Sequence, residues 1–126
     1  MKDGRDILEV LQGELAFIRD GRYGRNVRRL SLSKSIFQDS PTCLSYGYPY
    51  RAHPCSECHL IDFVAPEDCS QFVPCHHIHL TEAGDTIEEL ESQGDDIRAL
   101  PLVEEWLTKE INRIASGRTA TFWRNL

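Results

Sequence analysis

Cys55-Ser56-Glu57-Cys58 sets two sulfurs on one tight turn, the spacing from which a pair of thiolates converges on a single metal ion. Cys43 precedes this pair by 11 intervening residues and Cys75 follows it by 16, the latter a separation common between ligand pairs in structural zinc sites. Met1-Lys2-Asp3-Gly4-Arg5-Asp6 lacks the basic-then-apolar order of a secretory leader, so cytoplasmic residence is expected. In a reducing compartment a bound cation accounts for such thiols better than disulfides do. Cys43, Cys55, Cys58 and Cys75 are therefore the expected ligands of a structural, four-cysteine Zn2+ site. Four cysteines also suit an iron–sulfur cluster, but the single Cys-x2-Cys, the neighbouring histidines and the lack of a ferredoxin-type cysteine run favour zinc.

All five histidines, His53, His59, His76, His77 and His79, fall within the same central region and compete as ligands. If Cys75–Leu80 is a strand, alternation puts Cys75, His77 and His79 on one face and His76 on the other. Together with Cys55 and Cys58, that face describes a catalytic zinc with one position left to water, and Glu57 or Glu67 as general base for hydrolase-type chemistry. The alternative for each histidine is a side chain hydrogen-bonded to backbone. Cys69, in the acidic loop Glu67-Asp68-Cys69-Ser70, is left out of the ligand set because a thiolate is electrostatically disfavoured there.

A second chemistry lies in the one basic run. Residues 1–35 hold eight Lys or Arg against five Asp or Glu, whereas the remainder is strongly acidic and the whole chain carries a net charge of −6. Arg22, Arg25, Arg28 and Arg29, with Tyr23 interleaved, offer planar forks to a protein partner or to nucleic acid, although overall acidity opposes strong nonspecific nucleic-acid binding. Pairing with the acidic half is the plainer use of these charges. Four thiolates on one divalent cation leave a local charge of −2, which calls for nearby donors such as backbone N–H groups or Arg51. Tyr46-Gly47-Tyr48-Pro49-Tyr50 reads as packing over the metal loops. No Gly-rich phosphate cradle, Gly-x-Ser-x-Gly elbow or His-Glu-x-x-His is present.

The elements that must position these residues are legible at both ends of the chain. Ile7, Leu11, Leu15 and Ile18 repeat on one helical face, Asp6 with Glu9 or Asp3 with Asp6 supplies a cap, and Gly21 a stop, which predicts a helix over about residues 5–20. Asp85 or Thr86 caps a short helix ended by Gly94. Val103, Trp106, Leu107, Ile111 and Ile114 predict a last helix behind Pro101, with Gly117 just beyond its end. Between them, residues 36–80 are rich in proline, tyrosine and cysteine, with Leu60–Val64 and Cys75–Leu80 as the extended candidates. A segment with so few aliphatics has little to bury, and a metal crosslink gives its order a physical source.

With 126 residues and no apolar run of membrane-spanning length, the expected molecule is one domain over residues 1–126, without a membrane segment. Its expected class is α+β: an N-terminal helix and C-terminal helices packed on a small, loop-rich β region pinned by metal. The expected function is that of an interaction or regulatory module with a structural zinc.

Overall fold

A computed structural model describes residues 3–23, 35–47 and 53–124. Helix α1 spans Ile7–Arg19, α2 spans Ile87–Ser92 and α3 spans Ala99–Arg124. Between α1 and α2 the backbone closes locally in four 3-10 turns, Cys55–Glu57, His59–Phe63, Pro66–Asp68 and Pro74–His77. Among the described residues there is no β-strand, so the expected α+β class is corrected to a helical fold with 3-10 turns.

The reason lies in spacing and proline. Leu60 and Val64 are buried, four residues apart, with Ile61 and Phe63 packed partly against the core, which is a helical rather than an alternating pattern. The amides of Ile61 and Val64 donate to the carbonyls of Cys58 and Ile61 at 3.1 Å each, so the segment satisfies itself without a partner strand. At the other candidate, Pro74 opens a turn in which His76 N–H donates to Val73 O at 3.0 Å. Proline suits the first position of such a turn, where its missing N–H has no helical partner. The face expected to hold Cys75, His77 and His79 therefore does not exist.

The helices begin and end largely as their caps dictate. Asp6 accepts from Glu9 N–H at 3.3 Å to start α1, and Thr86 accepts from Glu89 N–H at 3.1 Å to start α2. Gly21 and Gly94 follow α1 and α2 with φ of 69° and 74°, the left-handed conformation that glycine adopts without a Cβ clash. Gly117 behaves differently. It lies inside α3 without a positive φ, and the helix runs on to Arg124. A helix-interior glycine weakens a helix by about 1 kcal/mol relative to alanine but does not stop it.

Two ion pairs fix how α1 lies on α3. Arg19, at the end of α1, meets Glu104 near the start of α3 at 3.0 Å, while Asp6, at the start of α1, meets Arg118 late in α3 at 2.5 Å. The two helices are therefore antiparallel. Such exposed pairs add little stability. The burial of Leu11 and Leu15 against Val103 and Leu107 contributes far more, at about 1.5–3 kcal/mol for each fully buried aliphatic side chain. The turn region joins the same core through Phe63, whose ring stands edge-on to Trp106 with centroids 5.1 Å apart, and through Leu60, Ile78 and Leu80.

One buried polar cluster binds α1 to the segment before the cysteines. The Glu14 carboxylate, on a residue 1% exposed, accepts from the hydroxyls of Tyr23, Ser40 and Thr42 at 2.5, 2.6 and 2.5 Å. Tyr23 Oη in turn accepts from Phe37 N–H at 2.8 Å, where Phe37 takes a positive φ of 69°. Burial, together with the neighbouring Glu14 charge, holds the Tyr23 phenol far above its usual range, so it remains a donor.

Candidate functional site

Four cysteines arrive at one cavity from three separated points of the chain. Cys43 lies in the turn that follows Pro41, its N–H donating to Ser40 O at 3.2 Å. Cys55 opens the first 3-10 turn and Cys58 closes it, with Cys58 N–H donating to Cys55 O at 3.1 Å. Cys75 lies in the Pro74–His77 turn. All four line a cavity of about 40 Å³, along with apolar walls from Phe37, Leu60 and Ile61. No cysteine is disulfide-bonded. The space admits water or a small ion beside the four thiols.

The electrostatics report the same proximity. Removal from water pushes the Cys75 thiol well above its usual range, and Cys58, Cys55 and Cys43 add to this as prospective like charges. Cys58 is raised as well, again chiefly by burial, with Arg5 acting in the opposite direction. Among the described residues no three His, Cys, Asp or Glu side chains are grouped so as to hold a metal ion. The expected metal-binding cysteine cluster is corrected to four thiols that share a cavity wall without forming a ligand cage.

The other candidates are dispersed. Cys69 is exposed, its thiol directed at the carbonyls of Val64 and Ala65 at 3.8 and 3.6 Å, and it does not line the cavity. His76 is buried, with Nε2 2.7 Å from Ile36 O, and loss of water lowers its pKa. His59 Nε2 stands 2.5 Å from Arg5 O. These two histidines take the backbone-bonded role that was the alternative to ligation. His53 reaches the cavity wall, whereas His77 and His79 do not, and neither do Glu57 and Glu67. The catalytic arrangement of Cys75, His77, His79 and a glutamate is thus not assembled. Arg22 is exposed beyond the end of α1, while Arg25, Arg28, Arg29 and Arg51 lie outside the described residues.

Sequence reasoning missed Asp3 and Arg5. The Arg5 guanidinium grips the Asp3 carboxylate, with Nε–Oδ1 at 2.9 Å and Nη2–Oδ2 at 2.6 Å, and holds the Asp3 pKa down at about 2. Its remaining donors go to the carbonyls of Pro41 and Thr42, immediately before Cys43. No spacing rule links residue 5 to residue 43. Comparison with family models, with curated proteins and with solved structures found no match for this chain.

Proposed function

We propose that the protein is a small zinc-binding interaction or regulatory module in which Cys43, Cys55, Cys58 and Cys75 close on one Zn2+. The observation that carries this reading is the convergence of four thiols, from three stretches of chain, on a cavity large enough for a single ion. Zinc would supply no reaction here. It would convert mutually repelling thiolates into a crosslink among the turns, and binding of this kind contributes on the order of 10 kcal/mol in small domains.

Two features favour this reading over its rivals. Among the described residues that line the cavity there is no carboxylate, so the glutamate base of the catalytic reading is missing there and His53 is the one side chain left to take that role. The single Cys-x2-Cys and the lack of a ferredoxin-type cysteine run weigh against iron–sulfur. As a module, the protein would present the arginine segment from Arg22 through Arg25, Arg28 and Arg29 to an acidic partner surface.

Elemental analysis of freshly purified protein tests the proposal. One zinc per chain is expected, lost in Cys58→Ser and kept in Cys69→Ser. Protein that holds no metal, with five thiols titrating per chain, would reject it. Iron with acid-labile sulfide would reject it in favour of a cluster.

A further inference from the structure

The N-terminal segment ahead of α1 reaches across the two cysteine turns. Asp3 N–H donates to Glu57 O at 2.7 Å, one residue before Cys58, and Arg5 O pairs with His59 Nε2, one residue after it. From the same three residues, Arg5 Nη1 and Nη2 donate to Pro41 O at 2.9 Å and Thr42 O at 2.8 Å, just ahead of Cys43. The Asp3 side chain is only 1% exposed, and its whole carboxylate edge is taken up by Arg5. A buried carboxylate bonded along its edge to a guanidinium that is 35% exposed and also reaches two carbonyls is a built feature rather than a surface encounter.

We propose that Arg5 is a positioning residue: with Asp3 it clamps the Cys43 and Cys58 turns in one frame and sets a fixed positive charge beside both sulfurs. A planar fork with five donors can hold a carboxylate and two carbonyls at once, which an ammonium group on a flexible stem cannot do with the same geometry. On the proposed zinc reading, Arg5 would offset part of the −2 charge of a four-thiolate site, the part sequence reasoning gave to Arg51. Groups just outside a ligand shell that orient and compensate it typically change metal affinity by about 10- to 100-fold when removed.

Amide hydrogen exchange and Co2+ uptake, measured on the full chain as wild type, Arg5→Gln and Arg5→Lys, test the clamp. In Arg5→Gln the amides of Cys43 and Tyr46 on one turn, and of Cys58 and Ile61 on the other, should exchange about tenfold faster together, while those of Val103 to Leu107 keep their protection. Arg5→Lys should leave both turns unprotected despite its charge, and Co2+ should bind Arg5→Gln about 10- to 100-fold more weakly than wild type. Unchanged exchange in either turn, or full protection in Arg5→Lys, would overturn the clamp. Wild-type protein that takes up no Co2+ while Arg5→Gln still loosens both turns would overturn the zinc reading and uphold the clamp. If Arg5→Gln loses protection in α3 as well, Asp3→Asn provides the milder lesion, and it must move the same four amides for the clamp to stand.

Discussion

Glu14 shows how a single buried side chain can organise the segment before the cysteines. Its carboxylate is the common acceptor for Tyr23, Ser40 and Thr42, so removing it takes the acceptor from the Tyr23 and Thr42 hydroxyls, leaves Ser40 with Phe37 O, and loosens the chain that leads to Cys43. Glu14→Ala is expected to destabilise the protein by about 3 kcal/mol, read as a fall in the denaturation midpoint. Asp3 gives a prediction in pH. Its carboxyl titrates near 3.8 when unperturbed and near 2 in the fold, because the Arg5 hydrogen bonds favour the charged form. A depressed acid contributes stability above its unfolded value and loses it as pH falls through the folded one. The Asp3 contribution should therefore be whole above about pH 4 and gone near pH 2, and Asp3→Asn should flatten that portion of an acid-unfolding curve. Cys69→Ser, at an exposed thiol away from the cavity, should shift stability by no more than about 0.5 kcal/mol.

Among the elements, α3 departs furthest from expectation, and the difference turns on one glycine. Gly21 and Gly94 end their helices because each adopts a left-handed backbone, whereas Gly117 keeps a helical one and α3 passes through it to Arg124. A Cβ added at Gly117 would meet nothing within 4 Å. Gly117→Ala is therefore expected to raise stability by about 1 kcal/mol, visible as a higher Tm, while Gly94→Ala, at a φ of 74°, should lower it. The capping residues of α1 and α2, Asp6 and Thr86, were legible because an N-cap is a local event involving a side chain and an amide three residues on. The central turns were not. Leu60–Val64 and Cys75–Leu80 are short apolar runs that periodicity alone does not assign, and among the described residues no strand is there to accept their amides.

For the molecule as a whole, the antiparallel α1–α3 pair and the core around Trp106 hold one side, and the turns that carry the thiols lean on it through Phe37, Leu60, Phe63 and Ile78. If zinc crosslinks those turns, a strong chelator should act unevenly. Residues 41–80 are expected to become open to proteolysis while α1 and α3 remain resistant, since the helix pair has its own buried contacts. Limited digestion followed by mass mapping would check this, and uniform sensitivity along the chain would count against a metal-dependent region resting on a metal-independent one. Among the described residues no helix is long and apolar enough to cross a membrane.

The sequence alone determined the three helices and two of their stops, and narrowed two of their starts to a pair of capping residues each, because periodicity and capping are properties of neighbouring residues. Only the tertiary structure decided that the centre coils into 3-10 turns, that His77 and His79 stand apart from the thiols, and that Asp3, Arg5 and Glu14 brace the cysteine loops. The bracing depends on contacts across 26 to 54 positions of sequence, from Glu14 to Ser40 or from Arg5 to His59, where the chain must close before any such preference exists, whereas the turns close on themselves three residues at a time.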